Sequence, residues 1–446
     1  MPDLYNWFAN KRKRSAVLLL LAVALVAGGC SGSTDDRSVN SDRSNKSGET
    51  TSEAVKERNK DDAPAGKEPR PEREKDGKNV RRYENRNAPV QAGQLTAGEW
   101  DDLAAWQSFK NLLNGGEGDS SMRYWSFRGF NRLEVSVTAG GRPVTDAIVQ
   151  LMDGGRTEWE ARTNGEGKAY LFADLFDLGP QRDNVERTKD DRSGSGGRGR
   201  YDVVVRHGQS SKKLENIRLS EQESLKMTLD EEAKKPEQVD IMFVIDTTGS
   251  MQDELDYLEA ELKDVIQRVG QQHGNQLDIR LSANFYRDIH DDYVVKSNPF
   301  TKDIDKVVRQ IAAEEARGGG DYPEAVEQAL RNGIAEHDWS QEARARLLFL
   351  VLDAPPHHND QAIEEVQDMT RKAAENGIRV IPVVSSGIDV DTEYLMRFLS
   401  VATGGTYLFL TDDSGIGGEH LEPAAGKYEV KLLNDLLVET INRYTN

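Results

Sequence analysis

Two uninterrupted apolar runs, Ile241–Ile245 and Leu347–Leu352, each deliver the chain to an aspartate, Asp246 and Asp353. A run without polar alternation marks a strand covered on both faces, which calls for a sheet with helices above and below it. The spacing between and after these runs agrees. Leu255, Leu258, Leu262, Val265 and Ile266 recur at helical period, and 279–285 alternates as a second strand. Helices are expected around 304–312 and, after Gly318-Gly319-Gly320-Asp321, over 323–337. A helix over 361–376, a strand over 380–384, a helix near 394–402, a strand over 406–410 and a last helix over 427–444 complete the series. Strands alternating with helices of this length predict a doubly wound α/β domain, with a mostly parallel sheet, over residues 236–446. In such sheets ligands bind beyond the carboxyl ends of the strands, where the strand order reverses. If the chain winds outward from the first strand and then returns beside it, Asp246 and Asp353 become neighbours at that crevice.

Asp321 lies in a loop before a helix and can reach the same place, and Thr248 and Ser250 put two hydroxyls on the first loop. Three carboxylates and two hydroxyls are hard oxygen donors. They fit an octahedral Mg²⁺, Mn²⁺ or Ca²⁺ site. The sequence holds a single cysteine, so neither a Cys-based metal cluster nor an internal disulfide is possible. Simpler roles exist for the same residues: turn formers at strand ends for Asp246 and Asp353, and helix caps for Asp321 and Ser250.

These residues resemble the von Willebrand factor type A domain and its metal-ion-dependent adhesion site. The family's first motif, Asp-x-Ser-x-Ser, stands here as Asp246-Thr-Thr248-Gly-Ser250, and its third, a strand-end aspartate, is matched by Asp353. The second is usually a threonine. Here the loop reads Gly-Gly-Gly-Asp321-Tyr-Pro-Glu, similar to a branch of the family with that pattern. The resemblance implies a divalent cation on Asp246, Thr248, Ser250, Asp321 and Asp353, and binding of a protein or other extracellular macromolecule through it. A third protein carboxylate sets three negative charges against two positive ones. The metal is then held more firmly by the chain and draws an acidic partner less.

Upstream, residues 131–232 switch to period two. Leu133, Val135 and Val137 alternate, a turn follows at Gly140-Gly141, and Ala147, Val149 and Leu151 alternate again. Short strands separated by turns predict a β-sandwich. The runs GRPVTDAIVQL and TNGEGKAYLF resemble the carboxypeptidase-regulatory modules of exported proteins, which implies a spacer or scaffold; the Gln181–Arg200 loop reads as an exposed insertion. Residues 91–130 are expected to be helical, starting at Thr96 or Ala97, with Glu99 at capping-box spacing from Thr96, and stopping at Gly115-Gly116.

The amino terminus reads as an address. Lys11 to Arg14 precede an apolar run from Ala16 to Ala27, then Gly28, Gly29 and Cys30. This is the pattern of a signal peptide over 1–29. Ala27-Gly28-Gly29-Cys30 resembles the bacterial lipobox, which implies lipidation of Cys30 and a lipid anchor as the chain's only attachment to a membrane. Ser31 after the cysteine allows the outer membrane or the cell surface. Residues 30–90 carry few large apolar side chains and well-mixed charges, the composition of a disordered tether.

Charge narrows the partners. The chain has 77 acidic and 58 basic side chains, and the whole excess of −19 falls in 238–446. Nucleic acid is therefore not an expected partner. No enzyme is expected either, since no GxSxG elbow, P-loop or HExxH helix occurs. The rival readings are a metal-dependent hydrolase built on His357-His358, Asn359-Asp360 and His290-Asp291-Asp292, and a scaffold or ATPase or secretion partner with a structural metal. The reading preferred on sequence alone is an exported lipoprotein of the bacterial envelope that mediates adhesion or protein binding. A long loop near the carboxyl end, with Asp412, Asp413, Glu419, His420 and Glu422, is a surface loop first and a second cation site only as an alternative.

Overall fold

In the computed structural model, strand β10 (Gln238–Asp246) is buried along almost its whole length, as its unbroken apolar run requires. The residues described are 93–177, 199–230, 233–320, 322–385, 387–411 and 428–446. Strand β10 pairs in parallel with β11 (Asp278–Tyr286) on one side and β13 (Ala345–Leu352) on the other. Beyond β13 come β14 (Ile378–Val384) and β15 (Tyr407–Leu410), both parallel, while β12 (Val295–Lys296) closes the opposite edge antiparallel to β11. The chain thus leaves β10 in one direction and returns on its other side. The reversal falls between β10 and β13, with Ile245 level with Val351. Asp246 and Asp353 therefore emerge side by side.

Helices cover both faces. Helix α3 (Gln252–Gln272), α4 (Ile304–Ala312) and α8 (Leu433–Thr445) pack with Val239, Ile241, Phe243 and Ile245 in one core. Helix α5 (Val326–Ala335), α6 (Asp360–Asn376) and α7 (Val390–Thr403) pack on the other face against Met242, Val244, Leu348 and Leu350. This second core runs on without a break into the region before β10. There β2 (Asn131–Ala139) pairs with β3 (Arg142–Pro143), β6 (Lys168–Ala173) and β9 (Ser224–Leu229). A separate sheet joins β5 (Arg156–Arg162), β4 (Ile148–Asp153), β7 (Tyr201–His207) and β8 (Ser210–Ile217). Leu133, Val135, Val149, Leu151, Leu171 and Val203 from both sheets share that core. Alternate residues of β2 are buried, as period two demands.

The amino-terminal segment departs from expectation. Thr96–Trp100 is not the first turn of a helix but strand β1, antiparallel to β15 and also paired with β16 (Lys431–Leu432). Helix begins only at α1 (Trp106–Leu113) and continues in α2 (Gly116–Tyr124). The physical reason is tertiary: Ala97 is fully buried opposite Leu410, and Glu99 pairs with Arg443 instead of completing a capping box. The eight-stranded sheet thus takes a strand from outside 236–446. Helix α8 also starts later than the sequence suggests, at Leu433 instead of 427.

Several expected features lie outside the described residues: the signal peptide, Cys30, the 30–90 tether, Asp321, Asp412, Asp413, Glu419, His420, Glu422, and the Gln181–Arg200 loop apart from its last two residues.

Candidate functional site

The two strand-end aspartates meet as the topology requires. Asp246 is fully buried, and its Oδ1 accepts from the Thr248 backbone N–H and hydroxyl, both at 2.8 Å. Its Oδ2 has no partner among the described residues. Burial, then the neighbouring Asp353 charge, push the Asp246 carboxyl up to about 7 against the pull of the Thr248 bonds and of the nearby buried Tyr286 hydroxyl. Burial also raises Asp353, opposed by a hydrogen bond from the Ser250 hydroxyl. Asp246, Thr248, Ser250 and Asp353 thus form one group.

The loop before α5 lies along the first loop. Arg317 N–H donates to Thr247 O at 3.0 Å, and Gly249 N–H to Gly318 O at 3.3 Å. Gly318 and Gly319 both have positive φ, +85° and +67°. A Cβ at Gly319 would stand 2.8 Å from Glu324 Oε1 and 3.3 Å from Thr248 Cβ, and one at Gly318 would collide with the Asp291 carboxylate. The glycine run is therefore needed both for its backbone conformation and for the close approach of acidic groups.

Glu324 is the residue that sequence reasoning missed. It belongs to the quoted Gly-Gly-Gly-Asp-x-Pro-Glu pattern, yet only Asp321 was expected to contribute. Glu324 is buried, its N–H donates to Pro355 O at 2.9 Å, and its Oε2 lacks a partner among the described residues. Burial, followed by the charges of Asp246, Asp288, Asp291 and Asp353, pushes its carboxyl up to about 9. Glu254, in the first turn of α3, is pushed up to about 7, mainly by burial and with a smaller push from Asp353. The available signal was its place directly after Pro323 in the quoted Gly-Gly-Gly-Asp-x-Pro-Glu pattern.

Two histidines of the hydrolase alternative, His357 and His358, are engaged by the protein, while His290 is exposed. His357 is held between Asp288, 3.1 Å from Nε2, and Glu327, 3.1 Å from Nδ1. His358 stacks on Tyr124 with ring centroids 3.7 Å apart, and its Nε2 lies 2.9 Å from Tyr124 O. Asp291 accepts from the N–H groups of Asp288 and Gly319.

Residues 240–414 match the family model described as the von Willebrand factor A domain. This stretch is a von Willebrand factor A domain. A further match is the "Putative ariadne-like RING finger protein R811" of Acanthamoeba polyphaga mimivirus, 28% identical over 189 residues, which are 39% of this chain and 18% of that protein. Among solved structures, the pilus adhesin SpaC from Lactobacillus rhamnosus GG aligns with a TM-score of 0.35 and 12% identity, over 55% of this chain and 33% of that one. The chain thus spans less than two thirds of either protein.

The residues of the A domain's first and third motifs suit a divalent cation. Their donors are oxygens, two are carboxylates held above their ordinary range, and one buried carboxylate oxygen is orphaned. Among the described residues no three His, Cys, Asp or Glu side chains converge as a ready-made metal cluster. A cation here therefore relies on the hydroxyls of Thr248 and Ser250 as well as on Asp246 and Asp353.

Proposed function

We propose that this chain is an exported, lipid-anchored protein of the bacterial envelope whose A domain holds a divalent cation, Mg²⁺ first, and uses it to bind another macromolecule. Asp246, Thr248, Ser250 and Asp353 would hold the ion, with Asp321 as the further ligand that the family resemblance implies. The observation that carries the reading is the orphaned, fully buried Asp246 Oδ2 beside Asp353, with two hydroxyls at the same group. A bound cation would supply the positive charge that these carboxylates lack and a coordination position for a partner's oxygen. Cys30 and the export signal support anchoring, and the 30–90 composition supports a tether. The two upstream sheets, similar in sequence to carboxypeptidase-regulatory modules, would serve as scaffold. Their core is continuous with that of the A domain, which favours a rigid support over a freely jointed spacer.

No catalytic role is proposed. His357 has a carboxylate at each ring nitrogen, which leaves it poorly placed to activate water at the cation. The test is retention of envelope proteins on the immobilised chain with Mg²⁺, with chelator, and with Asp246→Ala. The reading predicts a partner released by chelator and absent from the variant. Equal retention in all three would leave the cation a structural role, and turnover of a phosphoester or peptide would favour the hydrolase.

A further inference from the structure

Seven large apolar side chains are exposed among the described residues, and Tyr428, Val430 and Leu432 adjoin the undescribed segment 412–427. The other four lie on the face that carries Asp246 and Asp353. Tyr322, 43% exposed, sits in the loop before α5; Val390, 39% exposed, opens α7; Tyr124, 42% exposed, ends α2; and Ile289 stands on the loop after β11. Three of them are tied together. The Tyr322 hydroxyl accepts from Asp389 N–H at 2.8 Å, next to Val390. Helix α2 is fastened to Asp391 by Ser121 Oγ at 2.6 Å and by Trp125 Nε1, which donates to the Asp391 carbonyl at 2.7 Å.

Beside Tyr322 and Val390 the charge is negative, while Arg123, next to Tyr124, is already paired with Asp119. Asp389 uses its Oδ1 to cap α7, accepting from Thr392 N–H at 2.7 Å and from its hydroxyl at 2.6 Å, and Asp391 uses its Oδ1 for Ser121. Each aspartate keeps an Oδ2 for which no partner is described. Asp292, 82% exposed beyond Ile289, is balanced by Arg287 at 3.8 Å. A divalent cation at Asp246 and Asp353 would offset only those two carboxylates. The face would remain negative, with the carboxylates of Asp288 and Asp291 behind it. An acidic partner segment would meet repulsion here, whereas a guanidinium finds aromatic faces and free carboxylate oxygens side by side.

We propose that the partner presents an arginine-bearing segment that docks on Tyr124, Tyr322 and Val390 and pairs with Asp389 and Asp391. This deepens the proposed function by naming the chemistry of the partner, and it rests on that reading only for the use of this face. The test is fluorescence anisotropy with two labelled probes, a short peptide alternating arginine and leucine and its glutamate counterpart, each with Mg²⁺ and with chelator. The arginine probe binds more tightly than the glutamate probe. The double variant Tyr124→Ala/Tyr322→Ala, which leaves every charge in place, weakens it about fivefold. Asp389→Asn, which retains an acceptor for the helix cap, weakens it further as salt screening becomes less important. Equal binding of both probes, or an unchanged double variant whose circular dichroism is native, overturns the proposal. Arginine-probe binding that is identical in Mg²⁺ and chelator sustains it while counting against a cation-dependent interaction. Loss of the arginine preference while Mg²⁺ still binds overturns it alone.

Discussion

Carboxylates are buried in two regions of this molecule, and they are treated in opposite ways. Where the upstream sheets meet the A domain, Asp146 is held by Arg346 through two bonds of 2.8 and 2.9 Å. Asp102 is likewise held by Arg397 at 2.9 and 2.8 Å, with Glu393 added at 3.2 Å. Glu99 shows the consequence. Burial pushes its carboxyl up, yet two hydrogen bonds and the charge of Arg443 bring it below its ordinary value. At the carboxyl end of β10 and β13 Asp246 and Glu324 are buried as deeply and Asp353 in part, but among the described residues no lysine or arginine pairs with any of the three. Their carboxyls therefore rise. Burying an ion is costly unless a counter-charge accompanies it. The junction has its counter-charges in the sequence, whereas Asp246 and Asp353 have none among the described residues. That difference is the physical case for a cation.

The comparison can be broken most forcefully at the junction. Arg346→Ala leaves buried Asp146 with only Arg162 at 3.4 Å and the Ala343 N–H at 3.1 Å, and is expected to cost roughly 3 kcal/mol of unfolding free energy, read by urea denaturation of the chain. At the site the same kind of change has the opposite sign. Asp246→Asn removes an uncompensated charge and raises the stability of the metal-free protein by about 1–3 kcal/mol, while Mg²⁺ no longer stabilises it in thermal melts.

The pH dependence follows from the raised carboxyls. Asp246, at about 7 against an ordinary 3.8, and Glu324, at about 9 against 4.5, bind protons more tightly in the folded chain than in the unfolded one. Across that window the native state holds more protons, so the metal-free protein loses stability as pH rises from about 4 to 9. Added Mg²⁺ should flatten this decline, because it replaces protons at the carboxylates. Melting curves at several pH values, with and without chelator, check both statements. The smallest effect belongs to an exposed pair: Lys263→Ala, which removes the bond to Asp305, should change stability by less than about 0.5 kcal/mol.

Much of this arrangement is legible in the sequence because local chemistry and fold agree. The apolar runs of β10 and β13 specify doubly covered strands, and the aspartates ending them fall at the reversal of strand order. Strand β1 is not legible. Its Thr96 and Glu99 fit a helix start, and only pairing with Leu410 and Leu432, more than 300 residues away, makes Thr96–Trp100 a strand. Glu324 was hidden for a different reason: a glutamate in a loop reads as solvated until the fold buries it behind Gly319 and Pro355. The paired arginines of the junction are equally silent in sequence, since Arg346 opens an apolar strand and Arg397 sits within a helix, and neither position names its distant aspartate.

Calorimetric titration of Mg²⁺ into the chelator-treated chain and into Asp246→Asn, at a pH above 7, tests the central claim most directly. The account predicts saturable binding of one ion per chain in the wild type and heats of dilution alone in the variant. Binding of equal strength in both, or none in the wild type, would contradict it.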